Sequence, residues 1–532
     1  MLHPHRAARG PSGPESEAAP RDADRMAPGT PMVLVAMGLG VLVIANDFTA
    51  LNVAIPSIEA DFDTDVGTTQ WVINAYALVF GMAIVTGGRL ADMFGRRGAF
   101  FVGAVLFAVF SAFGAAAPST GWLIGSRVGM GIGGALMWPA ILGMTYAALP
   151  ASKAGLAGGL ILGVAGLGNA LGPLIGGALS ELSWRWIFVL NVPVAAIAIA
   201  VVWLKVHQPR EETEEERIDY PGIASLSLGL LFLLLALDQA VDWGWGDWRV
   251  VSMLVASVVL IVAFGFIEPR MGRSALIPSD LVRNREFVAA CLVTLMMSAV
   301  FFSTVLYVPQ FLQKILDWSP LGSGAGMLPM LGLFALTSFI AGPIYQRVGA
   351  KPTVAGGALL LAIGPLLLSL IEEGSGYGSL VLGLAITGIG VGLFYPSVTT
   401  AAVTALDPSR TSLAGGLVYM FQIAGGALGL GLTTAIFTSA SEDELTEKAS
   451  AAGLSLTDHQ DSVAHGALAG TESGREVVAD FSGEAAARLL EAVRDSFVSG
   501  LQVSFRVVAA IAAVGFVIAL LNIGGPLRRG QD

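Results

Sequence analysis

Fourteen long runs of apolar residues dominate the sequence, and each run is nearly free of charged side chains. Only 13% of the 532 residues are charged, about half the share in a soluble domain. Runs of about twenty apolar residues are long enough to cross a bilayer as helices. A single run can be a signal anchor, but fourteen of them predict an all-α polytopic membrane protein.

The predicted spans are well separated along the chain. They lie near residues 32–55, 70–88, 98–117, 121–149, 155–179, 186–206, 221–240, 249–267, 287–311, 321–343, 353–371, 378–404, 412–438 and 499–523. Because fourteen is an even number, both ends of the chain are expected on the same side of the membrane.

The basic residues predict which side that is. The segments that share a side with the N-terminus hold 20 of the 29 Lys and Arg residues, whereas acids such as Glu59, Asp61 and Glu372 collect on the other side. Cytoplasmic loops carry the excess of Lys and Arg. We therefore expect a multi-pass protein of the plasma membrane with both termini in the cytoplasm.

The two tails and two of the segments between spans carry predictions of their own. Residues 1–30 and 524–532 are expected to be cytoplasmic tails, the first disordered and with Met26 as an alternative start, and 207–220 a cytoplasmic linker. Residues 439–498 are expected to form an extracellular loop. Within it, Glu484–Phe497 has apolar residues at helical spacing, which predicts a short amphipathic helix. That helix either lies on the membrane or over the outer mouth, or is a mere connector.

A faint internal repeat divides the spans into two groups. The turn from Gly88 to Arg97 follows span two, and a similar turn from Gly342 to Lys351 follows span ten. Each turn has a second glycine seven residues after the first, and basic residues. Repeats of this kind are typical of transporters. We predict a six-helix bundle over 31–206, a second over 286–523, and two inserted, peripheral spans over 221–267.

Asp47 is the one carboxylate placed deep within a span of either bundle. It lies nine residues before Pro56, roughly 13 Å from the end of its helix. Arg127 lies roughly 9 Å inside span four. Ionisable residues inside a membrane are costly, and they mark functional sites by default. We predict that both face a shared aqueous cavity and act in proton coupling. The alternative is a static ion pair that holds spans one and four together.

The loop after span two reads G-x-L-A-D-x-x-G-R-R. Its two glycines allow a tight turn, and Asp92 is placed to pair with Arg96 or to accept hydrogen bonds from a neighbouring helix N-terminus. This pattern resembles the signature of the major facilitator superfamily. The resemblance implies a gating role for the motif residues, which are Gly88, Asp92, Gly95, Arg96 and Arg97.

Four further stretches resemble the drug:proton antiporter branch of that superfamily. Two are the R-x-x-x-G pattern from Arg127 in span four and the span-five run that ends G-P-L-I-G-G. The other two resemble the fourteen-span subgroup of that branch: the start of span six, W-R-W-I-F-V-L-N-V-P (Trp184–Pro193), and the span-one sequence D-F-T-A-L-N-V-A-I-P with Ile55 in place of the usual Leu. Gly172, Pro173 and Gly176 of the span-five run are expected to pack span five closely and to kink it. While the transporter exchanges substrate for protons, this close packing would seal the inner or outer end of the transport path against leakage.

The resemblance also implies a central cavity lined mainly by spans one, four, nine and twelve. Polar and aromatic residues there suit a bulky apolar or aromatic ligand, although packing is the alternative role for any single ring. The substrate-binding candidates are Trp138, Asn169, Phe301, Phe302, Tyr307, Gln310, Tyr395 and Gln422. Asp238, near the outer end of span seven, is a weaker acidic candidate.

The sequence shows no clear motif for a metal site, a nucleotide site or a catalytic site. All five histidines lie outside the spans, and Gly-rich runs such as Gly129–Gly134 sit inside apolar spans without the G-K-[ST] of a phosphate loop. We therefore expect no enzyme, no metal and no cofactor, with the proton gradient as energy source. The expected partners are a small-molecule substrate, protons and the lipid bilayer, with no nucleic acid, and a monomeric state.

The predicted function is proton-coupled export of hydrophobic or cationic small molecules by alternating access, as in multidrug or antibiotic efflux. Export of an endogenous metabolite or lipid is the first alternative, because nothing in the spans identifies the substrate. A membrane-embedded sensor or enzyme is the second.

Overall fold

The computed structural model describes residues 29–64, 66–206, 218–451, 453–454, 477–478, 481 and 483–524. Residues 1–28, most of the predicted linker, the centre of the predicted outer loop and residues 525–532 lie outside the described residues.

Among the described residues, fourteen helices are long and apolar enough to cross a membrane, and each predicted span falls on one of them. We number them α1 (Thr30–Ala50), α2 (Val66–Phe94), α3 (Arg96–Ala115), α4 (Thr120–Ala148), α5 (Ala154–Ser180), α6 (Arg185–Lys205), α7 (Tyr220–Trp243), α8 (Trp248–Met271), α9 (Arg285–Lys314), α10 (Leu328–Val348), α11 (Ala350–Leu368), α12 (Tyr377–Thr404), α13 (Thr411–Ala451) and α14 (Glu484–Asn522). No strand occurs among the described residues.

Polar side chains begin several of these helices. Ser119, Asp219 and Asn284 accept hydrogen bonds from the backbone N–H of Trp122, Gly222 and Phe287 at the starts of α4, α7 and α9. Such caps satisfy N–H groups that have no partner within the helix.

Helices α1–α6 form one bundle and α9–α14 the other, and α5 packs on α10 and α2 on α13 across the interface between them. The repeated turns have the same geometry in both bundles. Gly95 has φ +100° and Gly349 has φ +90°, values that favour glycine. The internal repeat predicted from the sequence is therefore visible in the backbone.

The first glycine of each repeated turn touches the other bundle. A Cβ on Gly88 would lie 2.8 Å from the Ser412 carbonyl oxygen in the first turn of α13, and one on Gly342 would lie 2.5 Å from the Gly155 carbonyl oxygen in the first turn of α5. These contacts lie on the side where α1 begins and α14 ends, which we call the terminal face. The bundles therefore meet closely at this face.

The inserted pair differs from the prediction in one respect. Helix α8 is peripheral, as expected, since only 11% of its apolar window is buried. Helix α7 instead packs against both α2 and α13. The prediction that both inserted spans are peripheral is therefore wrong for α7.

The prediction of a loop over 439–498 is wrong at both ends. Helix α13 continues to Ala451, and α14 already begins at Glu484. Apolar residues such as Leu445 and Val493 pack the two extensions together, and Lys448 pairs with Asp495 at 2.8 Å. The segment predicted as an amphipathic helix is helical, but it is the first part of α14 and not a separate surface helix or connector.

Candidate functional site

A cavity of about 1200 Å³ lies between the two bundles. It extends from Trp138 and Tyr395 in the middle of the molecule to Gln70 and Gln310 near the face opposite the termini. We call that side the opposite face.

The cavity is closed toward the terminal face. Trp138 of α4 and Tyr419 of α13 lie with ring centroids 4.4 Å apart, and the Tyr146 hydroxyl is 2.9 Å from that of Thr400 on the other bundle. Sequence reasoning missed Tyr419, although an aromatic residue in an apolar span was a usable signal.

All eight predicted substrate-binding residues line this cavity: Trp138, Asn169, Phe301, Phe302, Tyr307, Gln310, Tyr395 and Gln422. The structure brings them together, and their contact with a substrate stays a prediction. Some of their polar groups are already engaged. The Tyr307 hydroxyl donates to Thr434 at 3.1 Å, and Gln310 accepts from Lys314 at 3.1 Å. The wall is therefore largely apolar with a few oriented polar groups.

Asp47 of α1 and Arg127 of α4 form an ion pair in which neither side chain has exposed surface. Arg127 also donates from Nε to the Val72 carbonyl oxygen at 2.7 Å, and its guanidinium carbon lies 4.3 Å from the centroid of the Tyr76 ring. Arg127 on α4 therefore contacts α1 through Asp47 and α2 through Val72 and Tyr76. Arginine suits such a site because its planar group pairs with carboxylates and stacks on rings.

Asn191 of α6 completes the site. Its Nδ2 donates to Asp47 at 3.1 Å and to the Ser111 hydroxyl at 3.2 Å, and Ser111 in turn donates to the Phe188 carbonyl oxygen at 2.9 Å. The carboxylate of Asp47 thus has partners on α4 and α6. Sequence reasoning gave Asn191 no such role, although an amide inside an apolar span was the available signal.

The expectation that Asp47 and Arg127 face a shared aqueous cavity is wrong for this conformation. Both are fully buried, and neither is among the described residues that line the cavity. The cavity is lined instead by Ala45, Phe48 and Thr49 of α1 and by Asn52, which follows α1. Pairing explains the difference, because two buried charges that satisfy each other do not require water.

Asp92 joins the bundles at the terminal face. It accepts hydrogen bonds from the backbone N–H of Ser412 at 3.2 Å and of Leu413 at 2.8 Å, and it pairs with Arg96 at 3.2 Å. Arg96 also donates to the Pro408 carbonyl oxygen at 2.6 Å. Both contacts predicted for Asp92 are confirmed. The N-terminus of α13 favours this negative charge.

Three other motif residues, Arg97, Gly172 and Gly176, make contacts within their own bundle. Arg97 donates to the Trp203 carbonyl oxygen at 3.0 Å. A Cβ on Gly172 would lie 1.9 Å from Thr49 Oγ1, and one on Gly176 would lie 2.2 Å from the Ala50 carbonyl oxygen. These glycines therefore pack α5 against α1, while Pro173 lines the cavity. Their expected gating role stays a prediction.

Asp61 and Asp280 lie outside the spanning helices, and each pairs with an arginine. Arg185 hydrogen-bonds Asp61 on the opposite face at 2.6 Å and holds the pKa of that carboxyl below its usual value. Arg410 does the same for the pKa of Asp280 on the terminal face. Each carboxylate is therefore charged at neutral pH.

Residues 37–430 match the family model of the Major Facilitator Superfamily. The chain belongs to the major facilitator superfamily. The fourteen candidate spans in the described part of this transporter agree with the drug:proton antiporter branch that its motifs resemble.

Two relatives from Streptomyces are similar over most of their length. The chain is 31% identical over 495 residues to the tetracenomycin C resistance and export protein of Streptomyces glaucescens, covering 92% of this chain and 91% of the relative. It is 34% identical over 421 residues to the puromycin resistance protein of Streptomyces alboniger, covering 78% of this chain and 83% of the relative.

A solved structure shares the fold. The human organic anion transporter MFSD10 superposes with a TM-score of 0.60 at 16% identity, covering 93% of this chain and 100% of the other. At that identity the likeness describes the arrangement of the helices alone.

Proposed function

We propose that this transporter exports hydrophobic or cationic small molecules in exchange for protons. The observation that carries the proposal is the buried Asp47, which is held by Arg127 and Asn191 and is next in sequence to Phe48 on the cavity wall. A carboxylate inside a membrane protein that has a charged partner is a candidate proton carrier. The two Streptomyces relatives support export of toxic molecules, since one is named for tetracenomycin C resistance and export and the other for puromycin resistance.

Proton binding at Asp47 would change the contacts between helices. A neutral Asp47 no longer attracts Arg127, so α1 is released from the charge that holds it to α4. Phe48 and Thr49 belong to the same turn of α1 and line the cavity, so a movement of this turn also changes the substrate site. Proton binding and substrate binding are thereby coupled through one helix.

The excess of basic residues makes the terminal face the cytoplasmic one. The conformation described here, closed at the terminal face, is then the one that releases substrate outside the cell and takes up a proton. Each proton that enters contributes about 1.4 kcal/mol per pH unit and roughly 2.3 kcal/mol per 100 mV. The proton gradient is therefore a sufficient energy source, and a monomer suffices because one chain encloses the cavity.

The cavity favours bulky substrates. Its volume of about 1200 Å³ exceeds the roughly 300–1,000 Å³ of typical ligand pockets, and aromatic side chains from both bundles line it. Large ring systems bury much surface against such a wall.

Export of a metabolite made by the same cell is a second candidate. It is favoured by the relative that is named for both resistance to tetracenomycin C and its export. A transport assay that compares the cell's own secreted aromatic products with foreign toxic compounds separates the two candidates, since a dedicated exporter transports only the former.

Reconstituted wild-type protein tests the proposal directly. In proteoliposomes with an imposed pH gradient, we expect accumulation of the cationic dye ethidium together with proton movement in the opposite direction. Ethidium accumulation that does not depend on the pH gradient, or ethidium transport without proton movement, contradicts the proposal.

A further inference from the structure

A second carboxylate lies on the wall of the cavity itself. Asn74 of α2 donates from Nδ2 to both carboxylate oxygens of Asp238 on α7, at 3.0 Å each. Both side chains are half-buried and both line the cavity. Asp238 thus differs from Asp47, which is fully buried away from the cavity.

Small residues on the neighbouring helices bring Asp238 to this position. A Cβ on Gly81 of α2 would lie 2.9 Å from the side chain of Leu234, and one on Gly431 of α13 would lie 3.4 Å from that of Leu237. Leu234 is one helical turn before Asp238, and Leu237 is directly before it. Helix α7 can therefore sit between α2 and α13 and present Asp238 to the cavity.

The surroundings of Asp238 suit a positively charged ligand. Trp71 and Trp243 also line the cavity, the first one turn before Asn74 on α2 and the second five residues after Asp238 on α7. Aromatic faces attract cations, and a carboxylate forms stronger hydrogen bonds with charged donors than with neutral ones. Asn74 orients the carboxylate through two hydrogen bonds from its amide.

We propose that Asp238 binds the positively charged group of cationic substrates. The inference rests on the proposed export of small molecules and assigns part of its specificity to one residue. The inserted pair α7–α8 then serves substrate recognition through α7, while Asp47 carries the proton. Neutral substrates use the apolar wall and do not depend on Asp238.

Binding measurements on the purified full chain test this assignment with ethidium as the cationic probe and Nile red as the neutral one. In Asp238→Asn we expect ethidium affinity to fall about ten-fold to a hundred-fold, the range for loss of an interaction with a charged group. Nile red affinity should stay unchanged, which also shows that the variant is folded. Asp238→Glu, which keeps the charge, should retain ethidium binding.

Asp247→Asn is the matched control, because it removes one negative charge from the segment that follows α7 and asparagine still caps α8. It should leave both affinities unchanged. Equal loss of both probes in Asp238→Asn, or no loss of either, overturns the inference, as does failure of the wild type to bind ethidium. If the binding pattern is as expected but the wild type moves no protons, the proposed function fails and the inference stands.

Discussion

Arg127 donates a hydrogen bond to Asp47 from 80 positions further along the chain, and neither side chain has exposed surface. Isolated charges are costly to bury, and the cost is offset only when partners and further hydrogen bonds are present. Asn191, Val72 and Tyr76 provide those further contacts. The pair therefore stabilises the contact of α1 with α4 in the ionised state and weakens it when Asp47 binds a proton.

Removal of Arg127 alone should destabilise the protein. Arg127→Ala leaves Asp47 buried without its charged partner, which costs about 3–5 kcal/mol for a buried pair. The double variant Asp47→Asn with Arg127→Met removes both charges and should unfold closer to the wild-type temperature. Thermal unfolding of the detergent-purified proteins measures this. A double variant that is less stable than Arg127→Ala contradicts the buried pairing.

Asp92→Asn should loosen the closed terminal face. The variant loses the negative charge that accepts from Ser412 and Leu413 and pairs with Arg96. If the free energy of the open conformation relative to the closed one falls by about 1.4 kcal/mol, the open population rises about ten-fold. A thiol reagent can detect this change. The reporter is Thr400→Cys, placed behind the terminal face, with the native cysteine removed by Cys291→Ser.

We expect labelling of this reporter to be about ten-fold faster in Asp92→Asn. Asp61→Asn, which removes a carboxylate from the opposite face, should label at the wild-type rate. Equal rates in all three proteins would show that Asp92 does not hold the bundles together.

Gly342→Ala should impair transport. The added Cβ would lie 2.5 Å from the Gly155 carbonyl oxygen, so the bundles are unable to close at the terminal face without moving apart. Gly332→Ala on the same helix is the control, since a Cβ there meets nothing within 4 Å of the described structure. Dye efflux from cells measures both, and equal activity of the two variants contradicts the close approach.

The Asp280–Arg410 pair should contribute stability that depends on pH. Because Arg410 holds the pKa of Asp280 below its usual value, the contribution is present above about pH 4, where an unfolded Asp is ionised. It is lost as the pH falls through the lowered pKa of the folded protein. For an exposed pair it is at most about 1 kcal/mol.

Unfolding midpoints of the wild type and Asp280→Asn at pH 7 and pH 3 test this pair. The variant should be slightly less stable at pH 7, and its difference from the wild type should shrink as the pH falls towards 3. Glu181→Gln, which removes an exposed acid at the end of α5, is the control and should be as stable as the wild type at pH 7. A difference for Asp280→Asn that does not shrink between pH 7 and pH 3 contradicts the ion pair.

The sequence predicted the fourteen helices because charged residues are scarce within each span. It also placed Asp47 and Arg127 at similar depth in their helices, which is the condition for the ion pair that the structure shows. Both signals are local, since they depend only on the order of residues within one helix. The same holds for Asp92, whose position at a helix end predicted its two kinds of contact.

Other features depend on contacts between distant helices. The polar residues of 439–451 resemble a loop, and only the packing of Leu445 against residues such as Val493 shows why they are helical. The place of α7 between the bundles depends on Gly81 and Gly431, which are far apart in the sequence. The burial of Asp47 away from the cavity likewise follows from its partners on α4 and α6.

The most direct test of the central claim is gradient-driven transport by Asp47→Asn in proteoliposomes, beside wild type and Asp61→Asn. The account predicts that Asp47→Asn binds ethidium and remains folded but no longer accumulates it when a pH gradient is imposed, whereas Asp61→Asn transports like the wild type. Normal gradient-driven accumulation by Asp47→Asn would contradict the assignment of Asp47 as the proton carrier.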